Sequence, residues 1–176
     1  LFKEQLGFSM DSIIVSDIET DNDGNWYIGT WRDRGLIVFN PEKEKVEQIF
    51  PLRGFSDPAK IPRTNIAAVK TDKTNKVWLS LFNVGVSIYD PIKKNFLTLN
   101  TDPNNPSSIT DSQIESIVKD RSGAMWLGGA RSLMKHDPEK KKFNLISNSP
   151  TADIRSSFND YWGIFIDSNK DLWAGS

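Results

Sequence analysis

Apolar residues in this chain come in short runs that alternate with polar positions, rather than recurring at helical spacing. Ile13–Val15–Ile18, Ile66–Val69, Ile114–Ile117–Val118 and Ile164–Ile166 are brief β-branched runs, each ending at an aspartate, and runs of this kind predict strands. Polar segments such as Asn22-Asp23-Gly24-Asn25 follow, with a Gly or Asn able to take positive φ, which is hairpin chemistry. A second strand is expected at Tyr27-Ile28-Gly29-Thr30, Trp78-Leu79-Ser80-Leu81, Trp126-Leu127-Gly128-Gly129 and Trp173-Ala174-Gly175-Ser176. A third is expected at Leu36–Phe39, Val86–Tyr89 and Leu133–His136, closed by Asn40-Pro41, Asp90-Pro91 or Asp137-Pro138, where proline sets the turn and cannot extend a ladder. Fourth strands are expected near Val46–Ile49, Phe96–Leu99 and Phe143–Ile146.

The second layer of pattern is repetition. Asp-x-x-Gly/Asn-x-x-aromatic-x-Gly/Ser occurs at Asp21–Gly24–Tyr27–Gly29, Asp72–Asn75–Trp78–Ser80 and Asp120–Gly123–Trp126–Gly128, and at Asp167–Lys170–Trp173–Gly175 with Lys at the turn position. Four antiparallel strands in about 48 residues is the content of one β-propeller blade. The expected class is therefore all-β, a partial β-propeller of about three and a half four-stranded blades. Residues 9–55, 56–102 and 103–149 are assigned to whole blades and 150–176 to the first two strands of another. Residues 1–8 are assigned to the last strand of a preceding blade, because Phe2-Lys3-Glu4-Gln5-Leu6 resembles the fourth strands at Phe96 and Phe143. Propellers close with roughly four to eight blades, so the remainder of a longer polypeptide, or a second copy of the chain, is expected to complete the ring.

Composition narrows the function classes. A net charge of −1 with 26% charged residues, and Lys and Arg scattered apart from Lys140 to Lys142, gives no basic patch for nucleic acid. No apolar stretch approaches the roughly 20 residues of a membrane helix, so any membrane attachment is expected through segments outside this sequence. The absence of cysteine excludes disulfides and thiolate metal sites. Of six tryptophans, Trp78, Trp126 and Trp173 occupy the repeated slot, which leaves half of them for other roles.

These residues resemble the two-component regulator propeller repeat of the sensor regions of Bacteroidetes-type hybrid histidine kinases. The signature of that repeat is approximately Ile-x-x-Ile-x-x-Asp-x-x-Gly-x-Leu-Trp-Ile-Gly-Thr, then Gly-Leu and an aromatic before a Pro turn. Ile14-x-x-Asp17-Ile18 through Gly29-Thr30 with Gly35-Leu36 and Phe39 follows it, as does Ile114-x-x-Ile117-x-x-Asp120 through Trp126-Leu127-Gly128. Three departures stand out. Trp26-Tyr27 replaces Leu-Trp, so Tyr27 fills the core slot and Trp26 points to the other face. Ser80-Leu81 replaces Gly-Thr, and the third repeat lacks the Gly before Leu133. The resemblance implies a periplasmic ectodomain with tandem seven-bladed propellers, joined through a connector and a membrane span to a cytoplasmic kinase. It further implies an oligosaccharide ligand and no catalytic residue or cofactor in this chain.

The face on which first strands begin is where propellers usually bind ligands. That face gathers Trp31, Arg32, Asp33 and Arg34, then Phe82-Asn83, then Ala130-Arg131, with Arg53, Arg63, Asn65, Arg155, Asn159, Tyr161 and Trp162 from the longer connections. The expected ligand-binding residues are Trp31, Arg32, Arg34, Asn83, Arg131, Arg155, Tyr161 and Trp162: rings to stack on sugar faces, with guanidinium and amide donors for hydroxyls. The bland alternative is that Trp162 serves only an inner strand and the arginines are solvated. The opposite face, with its short turns, reads as merely soluble.

His136 sits in the aromatic slot of Phe39 and Tyr89, so a packed, hydrogen-bonded histidine is expected rather than a catalytic one. Asp21-Asn22-Asp23-Gly24 opens like a calcium loop, but the later ligands are missing and no metal is expected. The repeated aspartates read as acceptors for turn amides rather than as acids or bases. Two other classes remain open: a propeller lyase or polysaccharide-active enzyme, which needs a histidine or paired carboxylates on the loop face, and a protein-interaction scaffold.

Overall fold

The computed structural model describes residues 5–6, 13–32, 35–50, 64–105, 107–137, 142–146 and 161–175, without the side chain of Lys142. The first sheet comprises β1 (Ile14–Thr20), β2 (Trp26–Trp31), β3 (Leu36–Asn40) and β4 (Lys45–Phe50), antiparallel in chain order. The second comprises β5 (Ile66–Thr71), β6 (Val77–Leu81), β7 (Gly85–Asp90) and β8 (Asn95–Leu99) in the same order. The third comprises β9 (Ile114–Lys119), β10 (Met125–Gly129), β11 (Leu133–Asp137) and β12 (Lys142–Ile146), and β13 (Gly163–Ile166) pairs with β14 (Leu172–Gly175). The first three sheets are four-stranded meanders, the unit of a propeller blade, and the fourth is a two-stranded hairpin among the described residues. The first strands of successive blades pack on one another, β1 on β5, β5 on β9 and β9 on β13. The architecture is a β-propeller arc that does not close on itself, and every expected strand from Ile13 onward is present.

Each turn after a first strand is built the same way. The amides of Gly24, Asn75, Gly123 and Lys170 donate to the carbonyls of Asp21, Asp72, Asp120 and Asp167, and those four residues take φ of 80, 66, 91 and 76°. This is the three-residue hairpin whose last turn residue lies in the left-handed region. Gly and Asn enter that region at little cost, and Lys170 enters it against its preference.

The core lies between the blades. Tyr27, Leu36, Val38 and Phe50 of the first blade meet Ile66, Val69, Val77, Leu79, Leu81, Tyr89 and Phe96 of the second. Ala68, Trp78 and Val86 then meet Ile114, Met125, Leu127, Met134 and Phe143 of the third. The Gly/Ser slot of the repeat is where the next blade's first strand arrives. A Cβ on Gly29 would lie 2.8 Å from Val69 Cγ2 and 2.9 Å from Ile66 Cγ2, and one on Gly128 would lie 3.3 Å from Ile164 Cγ2. Ser80, fully buried in the same slot, uses its hydroxyl to donate to the carbonyl of Ile114. The Ser-for-Gly departure thus supplies an interblade hydrogen bond.

One expectation is corrected. A strand was expected over Phe2–Leu6, but Gln5 and Leu6, the described part of it, have helical backbone. Leu6 is buried against Ile28, Ile37 and Phe39, while the Gln5 side chain accepts from the Val46 amide at 2.6 Å and donates to the Glu44 carbonyl at 3.2 Å. A single side chain satisfies the exposed edge of β4 there, so no added strand is needed at that point. The rest of that segment lies outside the described residues.

Candidate functional site

The two ends of the blades are built from different chemistry. At the turn end, one aspartate per blade bridges turn and core. Asp21 Oδ1 accepts from the amides of Asp23 and Asn25, both at 2.9 Å, and Oδ2 accepts from the Tyr27 hydroxyl at 3.0 Å. Asp72, Asp120 and Asp167 likewise accept from the indole Nε1 of Trp78, Trp126 and Trp173, each at 3.0 Å. The turn amides are on the other oxygen, among them those of Lys76, Ala124 and Asp171. Turn acceptance was legible in the sequence, whereas the aromatic donor six residues on was not.

Electrostatics follow from this geometry. Burial alone would raise the Asp120 carboxyl, but the Ser122 hydroxyl, the Trp126 indole, the Ala124 amide and nearby Lys135 overcome it and hold it at about 2. Trp173 and the Asp171 amide hold Asp167 below the ordinary carboxylate range. Burial and neighbouring Asp21 push the Tyr27 phenol far up. With its carboxylate filled by two amides, Asn25 Nδ2 and the Tyr27 hydroxyl, Asp21 is an internal acceptor rather than the start of a calcium loop. Neighbouring turns are also tied together. The Asn22 amide donates to Asn75 Oδ1 at 2.9 Å, Lys73 to the Ser122 carbonyl, and Arg121 to the Ser168 carbonyl at 3.1 Å. This end therefore does more than face water.

At the loop end, strand register puts Trp31, Phe82 and Ala130 in equivalent places, followed by Arg32, Asn83 and Arg131. Arg32 and Asn83 take φ of 60 and 59°, which turns each chain sharply out of its strand. The Arg32 amide donates to Asn65 Oδ1 of the next blade at 2.9 Å, so Asn65 acts as a brace. Trp31 is 40% exposed. In the third blade the Arg131 amide is held instead from within its own blade, by Asp111, only 6% exposed, whose carboxylate accepts from the Gln113 amide at 3.0 Å and the Arg131 amide at 2.8 Å. The Tyr161 amide donates to the Gly129 carbonyl at 3.1 Å and so ties the residues just before β13 to the end of β10.

Between the third and fourth blades these braces frame a cavity of about 300 Å³ lined by Gln113, Glu115, Ala130, Arg131, Tyr161 and Trp162. Three of the expected ligand residues, Arg131, Tyr161 and Trp162, thus line one cavity, and Trp162 presents a ring that is 65% exposed. Trp31, Arg32 and Asn83 occupy the same end of the neighbouring blades but do not line this cavity. Arg34 and Arg155 lie outside the described residues, as do Asp33, Arg53, Arg63 and Asn159. Gln113 and Glu115 were missed. They flank the fully buried Ile114 with strand alternation, and that polar–apolar–polar pattern at the start of a first strand was the signal for them. The Gln113 amide group donates to Glu115 Oε1 at 3.0 Å, so the two polar groups are held as a pair.

His136 stands at the other end of β11, with its ring 4.9 Å from those of Trp78 and Phe143. Burial there lowers its pKa. The expected packing role is what its neighbours display. Among the described residues no helix is long and apolar enough to cross a membrane.

The geometry defines a propeller arc with a polar and aromatic cavity at its loop end. No protein-family model matches this sequence, and no curated protein matches it. Solved structures do. The extracellular domain assigned to a hybrid two-component system of B. thetaiotaomicron covers 92% of this chain with a TM-score of 0.76 at 17% identity, and the chain spans 22% of it. A second such domain from the same organism also covers 92%, with a TM-score of 0.66 at 21% identity, and the chain spans 20% of it. Virginiamycin B lyase from Staphylococcus aureus covers 91% with a TM-score of 0.64 at 15% identity, and the chain spans 48% of it. The chain is thus similar to about a fifth of these extracellular domains and to about half of the lyase, and at these identities the likeness shows the fold.

Proposed function

We infer that this chain is part of the ligand-sensing ectodomain of a hybrid two-component sensor. Its propeller recognises an oligosaccharide outside the cytoplasm, in the periplasm, and acts on a kinase carried elsewhere in the polypeptide. The observation that carries this reading is the loop-end cavity. It offers an exposed indole and a phenol for stacking on a sugar face, with a guanidinium, an amide and a carboxylate to hydrogen-bond hydroxyls around the ring. The likeness to two extracellular domains of hybrid two-component systems supports the sensor context. Signalling would be a population shift between ectodomain arrangements, driven by a ligand that binds one of them better. Trp31, Arg32 and Asn83 are assigned to a wider rim that a longer oligosaccharide reaches.

A lyase reading draws less support. It needs a histidine or paired carboxylates at the loop end, and His136 stands at the opposite end of its strand. Calorimetric titration of the protein with short neutral and uronate-containing oligosaccharides tests the sensor reading. The double variant Arg131→Ala/Trp162→Ala should lose the binding heat with little change in Tm. Unchanged affinity in that variant overturns the site.

A further inference from the structure

A second cavity between the third and fourth blades, of about 370 Å³, lies toward the turn end and shares no residue with the one at the loop end. Its walls come from the last residues of β9 and β13 and from the turns that follow them. Strand register shows what occupies this place elsewhere in the arc. Glu19, Lys70, Val118 and Phe165 stand opposite the repeated aromatics Tyr27, Trp78, Trp126 and Trp173, so they hold one position in four blades. Unlike the aromatics, these four differ in charge, size and polarity.

Between the first and second blades the position carries a carboxylate of the protein's own. Glu19 accepts from Lys70 Nζ at 2.6 Å, from the Thr71 hydroxyl at 2.9 Å and from the Thr71 amide at 3.3 Å, and so fastens one blade to the next. Between the third and fourth blades Val118 stands for Glu19, Phe165 for Lys70 and Ile166 for Thr71. The carboxylate and its donors are gone together. What lines the space is an apolar wall of Val118, Ile164, Phe165 and Ile166, with Lys119 and Arg121 beside it.

Charge decides what such a wall can hold. Among the described residues the Lys119 ammonium has neither an ion pair nor a hydrogen bond. Arg121 donates to the Ser168 carbonyl through one nitrogen, which leaves further guanidinium donors. The carboxylate on this cavity, that of Asp167, is already taken: Oδ1 accepts from the Asn169 and Asp171 amides and Oδ2 from the Trp173 indole. Two cations beside one internally bound anion leave the cavity positive. Its volume falls within the range of small-molecule sites, roughly 300 to 1,000 Å³.

We propose that this cavity binds a small aromatic carboxylate, with the anion between Lys119 and Arg121 and the ring against Phe165, Ile166 and Val118. The ligand brings from outside the carboxylate that Glu19 provides from within two blades earlier. The probe is benzoate, with benzamide as a neutral compound of the same shape, each titrated against the protein. Binding is read by the 1H–13C resonances of the Ile166 methyl groups, assigned with Ile166→Val. Benzoate should move them saturably, with half-saturation at about 1 mM or tighter, and benzamide should bind at least fivefold more weakly.

Lys119→Met keeps the stem and removes the charge, so it should weaken benzoate at least fivefold and leave benzamide unchanged. Val118→Glu writes the first blade's carboxylate into the third and should abolish benzoate binding. The proposal is overturned if the Ile166 resonances do not saturate, if benzamide binds as tightly as benzoate, or if Lys119→Met binds benzoate as the parent does.

Discussion

The turn end and the loop end of these blades share strands, yet they treat sequence change in opposite ways. At the turn end four aspartates make the same bridge to an aromatic six residues on, with Tyr27 substituting for tryptophan without altering the geometry. At the loop end three equivalent positions hold Trp31, Phe82 and Ala130, and the next three hold Arg32, Asn83 and Arg131. Repetition marks where every blade must solve the same packing problem. Variation marks where blades are free to differ, and the polar cavity lies there. The two ends meet at the Gly/Ser slot, where the backbone of one blade touches the first strand of the next.

Mutations at the turn end should therefore cost stability, and those at the loop end should cost binding. The largest effect is expected for Trp78→Ala. That change empties a core position 3% exposed and leaves Asp72 without its indole donor, for about 3–5 kcal/mol in urea unfolding. A loss below about 1 kcal/mol would break the comparison, because the repeated slot would then not be a packing slot. Gly29→Ala comes next, at about 1–3 kcal/mol, since its Cβ must displace the γ-carbons of Val69 and Ile66.

A smaller effect is expected from acid. Asp120 titrates at about 2 when folded, below its ordinary value, so its contribution is present above about pH 4 and is lost as pH falls toward 2. The parent should lose stability across that window, and Asp120→Asn should be less stable at neutral pH but flatter from pH 4 to 2. An equally steep profile in Asp120→Asn would assign the acid sensitivity to other carboxylates, such as Asp167, held low by the Trp173 indole and turn amides, or Asp90, held low by the Lys93 and Ile92 amides.

The strands were legible because β-branched runs and turn residues agree with one another in every repeat, with proline stops in the first three. The site was legible only in part, since Arg131, Tyr161 and Trp162 are the residue types that bind sugars, whereas Gln113 and Glu115 read as ordinary polar strand positions. That they face a cavity depends on how the fourth blade packs against the third, which no local pattern encodes. Gln5 misled because Phe2-Lys3-Glu4-Gln5-Leu6 was read by its likeness to the fourth strands at Phe96 and Phe143, although its two apolar residues stand four apart, a spacing that also fits a helical turn, and the Gln5 side chain meets the edge of β4.

The smallest effect tests whether the loop end has a scaffold of its own. Arg32 is exposed and sits at a φ of 60°, yet its backbone amide is held by Asn65 Oδ1 of the next blade. Its position is thus set by the chain and by Asn65, while its guanidinium is left for the rim. Arg32→Ala keeps that amide and should change stability by less than about 0.5 kcal/mol. Asn65→Ala removes the acceptor and should cost about 1 kcal/mol, while loosening the turn that presents Trp31 and Arg32. Urea unfolding of the two variants side by side separates the cases. Equal losses would mean that the Arg32 side chain is a packing element, and the contrast between a repeated structural end and a variable recognition end would then fail at this blade.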